Sequence, residues 1–434
     1  MYPREQYLKE IISKKDNGRI KIITGLRRSG KSVLLFQLYR EWLLGEGVKE
    51  DQIIALALDI LGNARYRNPL ELDKYVRDHM VDPKKRYYIF IDEIQFVSEI
   101  QNPYVDNEDA KITFIDVILG FMHMDNADVY VTGSNSKMLS SDILTQFRDR
   151  GDEIRVYPLS FAEFYNEYEG DKRGGYLVWQ EYITYGGMPL ATSLESHEEK
   201  SRYLRDLFDR TYIKDVLERH EIKNDTEVLD ILLDVLASGI GSLTNPSKLA
   251  NTFKSERQIG IGSETIEKYI GYFEESFLIE KAVRYDVKGR KYIGTPAKYY
   301  YTDLGLRNAR LWFRQLEETH IMENVLYNDL IRRGMNVDVG VVEYNTKDAD
   351  GKKIRKQLEV DFVVNQGGKR FYIQSALSIA DPDKKEQEIE SLKRIPDSFS
   401  KMVVVRDYLK PWQDENGITY VGIEQFLLNE ELLK

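Results

Sequence analysis

Eight consecutive residues, Gly25-Leu26-Arg27-Arg28-Ser29-Gly30-Lys31-Ser32, constrain this chain more than any other stretch. They follow an apolar run over 20–24 and open a segment, 32–42, whose apolar spacing predicts a helix. Glycines at both ends permit left-handed backbone angles, so successive N–H groups can converge on one oxygen-rich anion. The start of the following helix adds its partial positive charge. Lys31 and Ser32, placed directly after the second glycine, supply an ammonium for terminal phosphates and a hydroxyl for Mg²⁺. The expected phosphate-binding set is therefore Gly25, Arg27, Arg28, Ser29, Gly30, Lys31, Ser32 and Val33, with Ser32 also a metal ligand. A loop of this kind needs a strand behind it and a helix ahead of it, which predicts an α/β layer structure for the first third of the chain.

The neighbouring segments agree. Further buried strands are expected over 53–58, 88–91, 129–132 and 154–157, and helices over 69–80 and 112–122, the alternation of a doubly wound parallel sheet. The strand at 88–91 ends in Asp92 and Glu93, the second half of a nucleotide hydrolysis site. Asp92 would hold the Mg²⁺ shell, and Glu93 would orient and deprotonate the attacking water. ATP is favoured over GTP because no Asn-Lys-x-Asp base-reading motif occurs. Ser134 and Asn135, after the strand at 129–132, are expected as a sensor of the γ-phosphate or lytic water. Arg148, Arg150 and Arg155 follow, and Arg150 is the expected arginine finger, offered to a neighbouring copy if the chain forms an oligomer.

The 434 residues exceed one domain, and the composition narrows what the others can be. With no cysteine, disulfides, thiolate metal sites and a Cys nucleophile are excluded. A net charge of -10 argues against bulk polyanion binding, so any nucleic-acid contact must come from a local patch. No run reaches the roughly 18 apolar residues of a membrane helix, and a soluble, cytoplasmic protein is expected. Four regions are predicted: a nucleotide core over 1–160, a helical connector over 161–237, a winged helix over 238–306, and an α/β domain over 307–434. The winged helix rests on Asn245-Pro246 as a helix start, a second helix from Ser263, and a hairpin around Lys288-Gly289-Arg290. That hairpin carries Lys281, Arg284, Lys288, Arg290, Lys291 and Lys298 interleaved with Tyr285, Tyr292 and Tyr299, a strip that could follow DNA.

Taken with ITGLRRSGKSVLL, YIFIDEIQ, VTGSNSKML and VYPLSFAEF, the later segments YGGMP, LFDRTYIKDVLER, KYYYTDLGLRN, LEVDFVV and YIQSAL complete a resemblance covering nearly the whole chain. It resembles AAA+-superfamily P-loop ATPases of bacteria and archaea with a C-terminal domain of unknown function. The resemblance implies an ATPase core, a winged helix and then a restriction-endonuclease-like domain. Nucleases of that fold bind Mg²⁺ through a helical Glu, a strand Asp and an Asp/Glu-x-Lys on the next strand. The matching positions are Glu323, Asp361 with Glu359 on the same strand face, and Gln374-Ser375-Ala376. Ala376 offers no ammonium, so the expected site is degenerate and cleavage is not expected. The function expected is a Mg²⁺-dependent ATPase whose nucleotide state acts on DNA- or protein-binding modules. A protein-binding signalling switch and a metal-dependent nuclease are the alternatives.

Overall fold

A computed structural model describes residues 2–107, 109–133, 150–170, 175–220, 222, 226–347 and 352–433. The chain divides into two compact units, Met1–Pro158 with Glu275–Phe277 and Leu159–Glu274 with Leu278–Lys434. Among the described residues no helix is long and apolar enough to cross a membrane.

The first unit is built on five parallel strands, β1 (Ile20–Thr24), β2 (Ile53–Ala57), β3 (Tyr87–Asp92), β4 (Ala127–Thr132) and β5 (Gly151–Arg155), in the order β2-β3-β4-β1-β5. Every residue of β1 is buried, because helices cover both faces of the sheet. Ile20 and Ile22 pack with Leu72 and Val76 of the Pro69–His79 helix and Phe121 of the Phe114–Met122 helix. Ile23 points the other way, into a cluster with Tyr7, Ile11, Leu34 and Tyr39. Each such isoleucine contributes about 1.5–3 kcal/mol by burial, so a charge at position 22 would break the layer. Lys21 is a polar intruder in this core. It pairs with Asp128, which also accepts from the Tyr130 hydroxyl at 2.7 Å and the Asp16 N–H at 2.9 Å. A buried charge so fully partnered is tolerated.

The second unit carries the helices after Leu159 and an eight-stranded mixed sheet. Its strands are β6 (Ile279–Asp286), β7 (Lys291–Tyr301), β8 (Asn336–Lys347), β9 (Lys353–Gln366), β10 (Lys369–Ala376), β11 (Ser400–Val405), β12 (Trp412–Gln413) and β13 (Ile418–Gly422). The order is β12-β13-β11-β10-β9-β8-β6-β7. The hairpin β6–β7 is therefore no free-standing wing: β6 pairs in parallel with β8, so one sheet runs across position 306. Asn245 caps the Pro246–Glu256 helix by accepting from Ser247 N–H at 2.9 Å, and the Ser263–Glu275 helix follows, as the sequence predicts.

Two segments that are distant in sequence meet in this unit. Asp303 is fully buried and accepts from the Gly187 N–H at 2.7 Å and the Leu306 N–H at 3.0 Å. Asn308 donates to the carbonyls of Ile183 at 2.7 Å and Thr184 at 2.9 Å. The turn Gly186-Gly187-Met188-Pro189 and the stretch from Asp303 to Asn308 thus form one latch.

Candidate functional site

The phosphate loop lies at the carboxyl end of β1, the edge where parallel α/β sheets place their ligands. Gly25 has φ 128° and Gly30 φ 101°, with Arg28 also left-handed at φ 63°. A Cβ on Gly25 would overlap the Val156 carbonyl oxygen, so only glycine fits there. The helix beyond runs as Lys31–Val33, a π-helical stretch Leu34–Tyr39, and Arg40–Gly45.

Lys31 is almost wholly buried and donates to the carbonyl oxygens of Gly25 at 3.0 Å and Leu26 at 3.1 Å. Burial pushes its pKa down to about 8, against the pull of Glu93 and Asp92. Among the described residues the Ser29 hydroxyl oxygen is buried and has no hydrogen-bond partner. A loop with an orphaned hydroxyl and an ammonium resting on its own carbonyls fits an anion that would take both.

Asp92 closes β3 and is buried, and the Ser32 hydroxyl donates to its carboxylate. Burial raises its pKa above the ordinary carboxylate value, and the Thr132 and Ser32 hydroxyls hold it back. The Ser32 hydroxyl and the Asp92 carboxylate are hard oxygen donors that could hold a divalent cation. Glu93 follows in left-handed conformation at φ 53°, held by Gln95 through its side chain.

Sequence reasoning missed Thr132. Its hydroxyl donates to Asp92 and accepts from the Glu93 N–H at 3.0 Å, so one side chain at the end of β4 positions both acids. A threonine at a strand end carries no pattern of its own. It matters because β4 lies between β1 and β3. Ser134, Asn135 and Arg148 lie outside the described residues. The Arg150 carbonyl accepts from the Ile20 N–H at 2.9 Å, which sets Arg150 at the amino edge of the sheet, opposite its own phosphate loop. Arg155 ends β5 on the loop's edge, with its guanidinium over the rings of Tyr157 at 4.7 Å and Phe277 at 4.5 Å.

In the second unit the four nuclease-like positions do converge. Glu323 comes from the Glu318–Arg332 helix, Glu359 and Asp361 from β9, and Gln374 from β10. Lys298 stands among them, 2.8 Å from Glu323 Oε1 and 2.6 Å from Glu359 Oε1. This corrects the expected basic strip. Lys298, Tyr285 and Tyr299 are buried, Arg284 is tied to Gln357 at 3.1 Å, and only Lys288, Arg290, Lys291 and Tyr292 of that strip are exposed.

The family described as AAA domain matches residues 17–165, and one described as a domain of unknown function (DUF8612) matches residues 177–317. An uncharacterized protein of Haemophilus influenzae is 32% identical over 430 residues, covering 99% of this chain and 99% of its own length. Another, from Methanocaldococcus jannaschii, is 29% identical over 393 residues, covering 87% of this chain and 78% of its own. Among solved structures, a Walker-type ATPase of Pyrococcus abyssi covers 72% of this chain and 96% of its own, at 12% identity and a TM-score of 0.48. A relative alike from end to end, with the AAA domain where the phosphate loop lies, makes this chain a member of the AAA+ P-loop ATPases that carry a C-terminal domain of unknown function.

Proposed function

We propose that the chain binds ATP with Mg²⁺ on the loop from Gly25 to Ser32 and hydrolyses it, and that the nucleotide state governs its second unit. The observation that carries this reading is the arrangement at the carboxyl ends of β1, β3 and β4. Lys31 rests on two loop carbonyls, Ser32 meets Asp92, and Thr132 ties Asp92 to Glu93. Bound Mg²⁺ would neutralise charge developing on the transferred phosphoryl group. Lys31 would exchange the Gly25 and Leu26 oxygens for phosphate oxygens, with Ser32 and Asp92 as metal ligands and Glu93 accepting the proton of the attacking water. Ser134 and Asn135 keep the sensor role. Arg150, remote from its own loop, would serve a neighbouring copy, and the work belongs to the cytoplasm, where ATP and Mg²⁺ are at hand.

Lys31→Ala should abolish turnover, while Glu93→Gln should bind ATP yet hydrolyse it about 10²–10⁴-fold more slowly. Full turnover in both variants would overturn the reading.

The two helices before β6–β7 support the helical part of a winged helix over 238–306, with its hairpin built into the larger sheet, and the exposed turn of Lys288, Arg290, Lys291 and Tyr292 supports contact with DNA. Replacing the three cations by Gln should lower the slope of log affinity against log salt by about one per charge lost. Fluorescence anisotropy with single- and double-stranded DNA reads this directly. No binding in any nucleotide state would favour the protein-binding switch.

A further inference from the structure

The carboxylate cluster of the second unit takes no part in the nucleotide reading. Glu323 faces Glu359 and Asp361, two acids on the same face of β9. In the nuclease-like pattern such acids hold a divalent cation. Here β7 sends a long side chain between them, and its ammonium lies 2.8 Å from Glu323 Oε1 and 2.6 Å from Glu359 Oε1. We propose that the Lys298 ammonium is itself the cation of this pocket: it holds the place a divalent metal would need, and makes the domain a metal-free ion-pair centre rather than a nuclease.

The oxygens are already spoken for. Glu323 Oε1 accepts from both Lys298 and the Tyr300 hydroxyl, and His320 Nδ1 faces Glu323 Oε2 at 3.9 Å. Asp361 Oδ2 accepts from the Ser375 N–H at 2.8 Å. Gln374 turns its carbonyl oxygen to the Asp361 N–H and its amide nitrogen to Glu388 Oε2, each at 3.4 Å. Among the described residues no group of three or more His, Asp or Glu is placed to hold a metal ion.

Charge decides the same way. Lys298 brings its positive charge to ion-pair distance of both Glu323 and Glu359. A divalent ion entering the pocket would meet that charge at contact distance or have to expel it. Expelling it would leave a buried ammonium without its partners, which is among the costliest arrangements a protein interior can hold. The ammonium absent at Ala376 on β10 is thus present from β7, but it sits on the carboxylates and not beside a metal.

The test uses the full chain without nucleotide, so it is independent of whether the ATP reading holds. Mn²⁺ is titrated while free Mn²⁺ is followed by electron paramagnetic resonance. The parent and Asp361→Asn should give the same isotherm, and a site in the parent that Asp361→Asn removes would overturn the proposal. Lys298→Ala should gain a Mn²⁺ site about tenfold or more tighter than any binding the parent shows in this unit, since the competing charge is gone. Adding Asp361→Asn to that variant should remove the gained site. A folded Lys298→Ala without new binding would overturn the proposal. If Lys298→Ala does not fold, Lys298→Gln is judged by the same criterion, and the parent against Asp361→Asn decides in either case. Incubation with plasmid and Mn²⁺ should leave the DNA intact. Nicking by the parent that Lys298→Gln abolishes would make this lysine the missing nuclease ammonium and overturn the reading.

Discussion

Lys31 shows how one side chain can be poised by its own loop. Its ammonium donates to the Gly25 and Leu26 carbonyls, and burial lowers its pKa from 10.5 to about 8. A triphosphate binds best to the charged form, so above pH 8 binding must draw a proton onto Lys31 from solution. Below about pH 7 the lysine is already charged and affinity for ATP should be flat. From pH 8 upward it should fall by about tenfold per unit, until the ordinary lysine range is reached. Titration calorimetry in buffers of different ionisation enthalpy would detect the uptake, approaching one proton near pH 9, and an affinity unchanged between pH 7 and 9.5 would refute it. That Lys31, Ser32, Asp92 and Glu93 come together was legible, because the loop after β1 and the end of β3 lie at the same edge in this kind of sheet. Thr132 was not, since its role depends on β4 lying beside β3.

At the scale of elements, a strand's period of two failed where the ladder is irregular. Tyr292 is 65% exposed, and simple alternation would carry Lys298, six residues later, to the same solvent face. The β6–β7 register instead shifts between Ala282 and Arg284: Arg284 pairs with Ile293, but Ala282 pairs with Lys298. An odd shift moves every later side chain to the other face, so Lys298 turns inward to Glu323. No residue type announces such a shift, whereas the cap at Asn245 was readable because Asn-Pro fixes a helix start locally. The latch between 183–189 and 303–308 was legible only as two unrelated glycine-bearing segments. A Cβ on Gly305 would overlap the Tyr185 carbonyl oxygen, and one on Gly186 would crowd the Asp303 carboxylate. Gly305→Ala should therefore destabilise the second unit by about 1–3 kcal/mol, read as a lower urea midpoint with an unchanged slope. Nucleotide affinity should stay as in the parent, because every group of the phosphate loop lies in the other unit.

At the scale of the whole molecule, the proposed coupling of nucleotide state to the second unit needs a route along the chain. The chain passes between the units at three points, after Pro158, after Glu274 and after Phe277. The last two flank a three-residue piece that leads from the Ser263–Glu275 helix to β6 yet packs with the first unit. Phe277 anchors that piece: it is buried, left-handed at φ 58°, and lies under the Arg155 guanidinium at 4.5 Å. Arg155 pairs with Thr24, the residue before Gly25, and the Val156 N–H donates to the Thr24 carbonyl at 2.8 Å. If the proposed coupling holds, a change in the phosphate loop would reach Phe277 through β5, and Phe277 lies two residues before the strand that begins at Ile279. Phe277→Ala should remove this anchor, at a local cost of about 3 kcal/mol for a buried phenylalanine, while leaving Lys31, Asp92 and Glu93 in place. Hydrogen exchange with and without a nonhydrolysable ATP analogue should show protection changes over 278–301 in the parent, and these should vanish in Phe277→Ala although the phosphate loop still responds. If 278–301 responds equally in both proteins, the signal travels by another of the crossings and the anchoring role of Phe277 is refuted.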